Sequence, residues 1–169
     1  MDFISKGIVT VMACLVLTSC VTAKIESNAA DAPNYKMEKV FVLVNTAQEN
    51  EEYSKEFYSA LEVALSKKNI ESSAYIRTPL TLDTKEDIDN KINAFQPEHL
   101  MIIDQTRMTI GGGNIVVSSD FQFSIIEYPS NEPTWKGILE VWTHLGIRGS
   151  IKKSIRKLME DLESSKIVN

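Results

Sequence analysis

The pattern of apolar and polar positions divides the chain into alternating elements. Lys39 to Asn45, KVFVLVN, is a continuous β-branched and aromatic run, the signature of a strand buried on both faces. Thr46-Ala47-Gln48-Glu49 then reads as a capping box, and Tyr53, Phe57, Ala60, Leu61, Ala64 and Leu65 recur at helical steps to about Lys68. Glu51 and Glu52 at its start and Lys67 and Lys68 at its end suit the helix dipole. Ser73 to Arg77 predicts a second strand. Thr84 predicts the cap of a second helix, which carries Ile88, Ile92 and Phe95 on one face and stops before Pro97. His99 to Asp104, HLMIID, predicts a third strand, extendable to Ile110.

The pattern then changes. Gly111-Gly112-Gly113-Asn114 is a turn, and Ile115 to Tyr128 alternates, with Phe121, Phe123 and Ile125 on one face. PSNEP, residues 129–133, makes a second turn before a strand over Thr134 to Thr143. After Gly146 and Gly149, Ser150 is the expected cap of a last helix with Ile151, Ile155, Leu158, Met159 and Leu162 inward. The order β-α-β-α-β-β-β-α predicts a single α/β domain over 37–169, its sheet mixed in the α+β manner and packed as a two- or three-layer sandwich. No repeat of 20 to 50 residues is visible.

The N-terminus follows different rules. Gly7 to Leu17 is eleven nearly unbroken apolar residues, too few for a bilayer core that needs about 20, yet right for a secretory h-region. The run ends in Leu17-Thr18-Ser19-Cys20. This resembles the lipobox of bacterial lipoproteins, an aliphatic residue and two small ones before a cysteine. The resemblance implies a signal peptide over 1–19 and a diacylglycerol on the Cys20 thiol, with palmitate-type acylation of the new N-terminus. Cys20 would then attach the chain to a membrane. Val21, where an Asp would favour inner-membrane retention in enteric bacteria, resembles an outer-membrane lipoprotein facing the periplasm. Residues 20–36, polar and without periodicity, read as the lipidated N-terminus and a flexible tether of up to about 50 Å.

Composition narrows the chemistry. Net charge is −5, with no basic face of the kind that nucleic acid demands. Both cysteines, Cys14 and Cys20, precede the domain, so the domain holds neither disulfide nor thiol. The triple glycine lacks the Lys-Ser/Thr and following helix of a phosphate loop. His99 and His144 sit in no ligand pattern, and no GxSxG elbow supports a Ser-His-Asp site. No metal, cofactor or catalytic residue is expected. Asp104 and Arg107, near the carboxyl end of the third strand, are a candidate ligand edge. Tyr128, Trp135 and Trp142 are candidate interaction residues. The two tryptophans lie seven apart, hence on opposite strand faces. Core packing of both is the simpler expectation, and an exposed one would mark a partner surface.

The stretch Glu127 to Trp142, with its Trp135-Lys136-Gly137, resembles a hairpin of small bacterial envelope lipoproteins. The element order is similar to periplasmic domains of secretion-pore and peptidoglycan-synthase-activating lipoproteins. These resemblances imply a non-catalytic interaction or assembly module with an envelope protein partner. A small-ligand carrier and an envelope-polymer hydrolase are the alternatives. A flat aromatic patch, an enclosed apolar cavity or a polar cleft near Asp104 would tell the three apart.

Overall fold

The computed structural model describes residues 21–30, 36–114, 116–143 and 147–169. Cys20, the residues before it and His144 lie outside them. Six strands form one sheet in the order β1-β6-β5-β4-β2-β3. They are β1 (Thr22–Ala29), β2 (Lys39–Asn45), β3 (Glu71–Arg77), β4 (His99–Ile110), β5 (Val116–Glu127) and β6 (Pro133–Trp142). Strands β2, β3 and β4 run parallel, and the β4-β5-β6-β1 half is antiparallel. Three helices complete the domain: α1 (Glu51–Ser66), α2 (Lys85–Phe95) and α3 (Ile151–Ser164). The mixed α/β sheet expected from the apolar runs is present.

The two sheet faces are covered unequally. On one face Val40, Val42, Met101, Ile103, Phe123 and Leu139 meet α1 and α3, with Phe57, Leu61 and Leu158 closing the core. Phe57 stacks on Phe121 at 6.2 Å, and Phe123 meets the Trp135 edge at 6.5 Å. On the other face α2 packs Ile88 and Ile92 on Phe41 and Leu100 of β2 and β4, with Tyr75 of β3 and Ile126 of β5 at the margins of the cluster. The domain is thus three layers thick at one side and two at the other. Among the described residues no helix covers the second face of β6 and β1.

Strand β1 corrects the tether reading over Thr22–Ala29, while Cys20 and residues 31–35 of that reading lie outside the described residues. All eight of its residues pair with β6, from Thr22 against Trp142 to Ala29 against Trp135. Ala23, Ile25 and Ala29 turn inward, and Lys24 and Glu26 ion-pair on the outer side. The alternation exists, but two of its three inward positions are alanines, which carry little hydrophobic signal. The charged outer positions fit an edge strand, where charge discourages further pairing.

Two expected caps also differ. Thr46 makes no capping box, because its amide donates to the Arg77 carbonyl (3.0 Å) and its hydroxyl to Gln105 Oε1 (3.3 Å). The α1 helix starts later, behind a 3-10 turn over Gln48–Asn50. Ser150 donates to the Ile147 carbonyl instead of capping α3. Thr84 does cap α2: its hydroxyl accepts from the Asp87 amide (3.2 Å), while the Thr84 amide donates to Asp87 Oδ2 (2.8 Å). At Gly113 the backbone adopts φ of +73°, the left-handed region that glycine tolerates, so the triple-glycine segment makes a tight turn.

Candidate functional site

The carboxyl ends of β2, β3 and β4 share one end of the sheet, where ligands sit in open α/β folds. Asn45 and Asp104 are opposed across β2 and β4, and Asn45 Nδ2 donates to Asp104 Oδ1 at 2.6 Å. Gln105 accepts from the Ala47 amide (3.1 Å) and donates to Ser119 Oγ (2.8 Å), which donates on to the Arg107 carbonyl (2.9 Å). A register shift between Gln105 and Arg107 carries Arg107 opposite Asp120, and the two ion-pair at 3.3 Å. Asp104 and Arg107 are therefore each engaged elsewhere and do not form one site. The adjoining depression, about 330 Å³, is lined by Asn45, Thr46, Arg77, Thr78, Pro79 and Thr81. It brings amide, hydroxyl and guanidinium groups together, but no nucleophile beside a base.

The three aromatics separate. Trp135 is 1% exposed, and its indole Nε1 donates to Asp161 Oδ2 on α3 at 3.1 Å. Gly137 lies under the indole: a Cβ there would stand 2.5 Å from Trp135 Cη2. Trp142 lies on the opposite face at the end of β6, 42% exposed, and Ile138 on that face is 48% exposed. Tyr128 packs beside α2, its hydroxyl donating to Asn93 Oδ1. The expectation that both tryptophans are core thus holds for Trp135 alone.

His99 opens β4 at the far end of the strand from Asp104, and it is buried there. Burial pushes its pKa below the ordinary histidine value, against a smaller opposing pull from Glu98 and Glu127. Among the described residues no group of three or more His, Cys, Asp or Glu side chains is placed to hold a metal ion. One groove is open and mostly apolar. It runs between α1 and α3, about 790 Å³, over Ala60, Val63, Ala64, Ile151, Ile155 and Met159.

Sequence reasoning missed one cluster. Lys153 Nζ donates to the Val21 carbonyl, and Lys152, Lys153 and Arg156 with Gly149 surround Val21 in a depression of about 360 Å³. The available signal was the order of charges along α3. Lys152, Lys153, Arg156 and Lys157 come first and Glu160, Asp161 and Glu163 last, the reverse of what the helix dipole favours.

These features describe a single mixed-sheet α/β domain with, among the described residues, one sheet face partly covered. No family model and no curated protein matches the chain. Its fold is similar to that of a subunit of the PelC dodecamer from Paraburkholderia phytofirmans. That match has a TM-score of 0.56 at 13% identity, over 83% of this chain and 97% of that one. A second crystal form of that dodecamer, carrying one substitution, aligns at 0.55 and 12% identity, over 83% and 97%. Lipoprotein GNA1162 from Neisseria meningitidis aligns at 0.40 and 12% identity, over 73% of this chain and 98% of that one.

Proposed function

We propose that the chain is a lipid-anchored protein of the bacterial envelope, held by an acylated Cys20, whose domain assembles non-catalytically with copies of itself. The observation that carries assembly is the fold it shares with the subunit of a dodecamer, over nearly the whole of that subunit. The uncovered β6-β1 face supports the reading. Ile138 stands exposed there beside a shallow depression of about 350 Å³, formed with Gln122, Lys136 and Glu26. An apolar side chain amid polar neighbours on a flat sheet suits a protein contact better than a catalytic cleft. The lipobox residues support anchoring, and the periplasmic side of the outer membrane is the location that fits Val21 after Cys20.

Two measurements test this. Intact mass and membrane fractionation of the full chain beside Cys20→Ala should give acyl mass, loss of residues 1–19 and membrane association in the wild type alone. Equal, unmodified and soluble chains would end the anchoring reading. Sedimentation of the detergent-purified protein should give an oligomer that Ile138→Lys weakens while far-ultraviolet circular dichroism is unchanged. A monomer at all concentrations would end the assembly reading.

A further inference from the structure

The pairing of β1 has a consequence for how the domain sits on its membrane. Strand β1 begins at Thr22, and Val21 is fixed against α3 by the Lys153 hydrogen bond. Adjacent Cα atoms are about 3.8 Å apart. An acyl group on Cys20 therefore leaves the domain at one defined point, with no slack between anchor and fold.

What surrounds that point is chemically distinctive. On the α3 side stand Lys152, Lys153 and Arg156. Arg156 shares Glu160 with Lys157, at 3.7 and 2.8 Å, and no carboxylate pairs with Lys152 or Lys153 among the described residues. The chain as a whole is acidic, at −5, so this concentration of positive charge runs against its average. It also runs against the dipole of the helix that carries it, and of Lys152, Lys153 and Arg156 only the last pairs with a carboxylate among the described residues, while Lys153 holds the Val21 carbonyl. On the other side of the sheet the ladder sets Trp142 opposite Thr22, and Ser118 opposite Trp142. Beyond Ser118 the β4-β5 hairpin continues past the end of β6, through the Ile110–Val116 pair, and Ile110 is 53% exposed. One end of the domain thus combines the chain's exit toward Cys20, three clustered cations, an exposed tryptophan and an exposed isoleucine.

We propose that this end is apposed to the membrane, with Lys152, Lys153 and Arg156 engaging the phosphates of anionic phospholipids and with Trp142 and Ile110 entering the headgroup boundary. The proposal rests on the acylation of Cys20 for its anchor and adds a second, electrostatic contact. Lysine and arginine near an anionic leaflet each favour association, and tryptophan settles at the interface between headgroups and hydrocarbon. Covalent chains hold the protein at the surface, and the basic and aromatic contacts orient it.

The test uses the acylated wild type in vesicles of phosphatidylcholine with and without phosphatidylglycerol, probed with an amine-acylating reagent and mapped by mass spectrometry. Lys152 and Lys153 should lose reactivity in the anionic vesicles, and regain it in high salt, while Lys39, at the opposite end of the sheet, does not change. Equal reactivity of Lys152, Lys153 and Lys39 in both vesicle types would overturn the membrane face and leave anchoring intact. Flotation of the unacylated chain beginning at Val21, which lacks both the anchor and the apolar run Gly7 to Leu17, separates the two readings further. It should rise with phosphatidylglycerol-containing vesicles, and Lys152→Glu with Lys153→Glu should lower the partition at least about tenfold. Flotation indifferent to lipid charge would overturn the proposal, whatever intact mass says about Cys20.

Discussion

Gly137→Ala tests the packing on which the β6 reading depends. The new Cβ would lie 2.5 Å from Cη2, 2.8 Å from Cζ2 and 3.3 Å from Cζ3 of Trp135. Carbon atoms in a packed interior sit about 3.5–4.0 Å apart, so the indole must retreat by about 1 Å. It has little freedom to do so. It is buried, it meets Phe123 edge-on, and its Nε1 is committed to Asp161. Overpacking of this kind costs about 1–3 kcal/mol. Rupture of the hydrogen bond to the Asp161 carboxylate would add about 1.5–3 kcal/mol. Against these, alanine recovers about 0.5–1 kcal/mol of chain entropy. The net expectation is a loss of about 2 kcal/mol, rising toward about 4 kcal/mol if the Asp161 bond breaks.

For a chain of 169 residues, each kcal/mol moves Tm by about 2–4 °C, so Gly137→Ala should melt about 4–8 °C lower. Urea denaturation gives the free energy directly, with Gly149→Ala as the control, since nothing lies within 4 Å of a Cβ at that position. Trp135→Phe removes the atoms that clash. The double variant should therefore be less destabilised than the sum of the singles, by about 0.5–3 kcal/mol. Unchanged stability of Gly137→Ala, or simple additivity in the double variant, would refute the argument that Gly137 exists to seat the indole.

Two other predictions follow from burial. Trp135→Ala should cost about 3–5 kcal/mol. Trp142→Ala, on the open face, should cost under about 1 kcal/mol, measured in the same urea experiment. For His99, burial lowers the folded-state pKa below the unfolded value of 6.5. Between those two values the unfolded chain binds the extra proton, so stability rises with pH there. The contribution is complete above pH 6.5 and is lost as pH falls through the lower, folded-state pKa. His99→Gln should flatten urea midpoints across that window; an unchanged slope would remove His99 as its cause.

The βαβαβ half was readable because β2 and the first half of β4 are covered on both faces, so every residue of VFVLV and LMII carries the signal. The α2 cap was readable for a related reason: Thr84 and Asp87 satisfy each other locally. Thr46 presents the same local pattern and fails because two distant strands compete for it, through the Arg77 carbonyl and Gln105. Alternation alone would put Asp104 and Arg107, three apart, on opposite faces; a register shift within β4, which leaves no mark in composition, sets them opposite Gln122 and Asp120 on one face, where separate partners, Asn45 and Asp120, hold them apart. The tryptophan pair shows how far periodicity reaches. Seven residues put Trp135 and Trp142 on opposite faces, and only the coverage of the sheet decided which face was core.

Strand β1 matters most for function. A free tether between Cys20 and residue 37 would let the domain meet partners up to about 50 Å from the lipid, in any orientation. Its pairing with β6 removes that freedom, so the proposed anchor at Cys20 would act as a positional constraint. Force on such an anchor would act on β1 at Thr22 and be borne by a ladder of eight residue pairs, together with the Lys153 contact at Val21. On the proposed arrangement every copy leaves the membrane at the same point of its fold. Identical surfaces then stand at one height and in one orientation, and two-dimensional assembly loses much of the rotational entropy that association in solution must overcome. A module that works by assembling copies at a membrane gains more from a fixed edge strand than from a long reach. Shifting β1 out of the sheet, rather than altering any single exposed side chain, is therefore the change expected to uncouple anchoring from assembly.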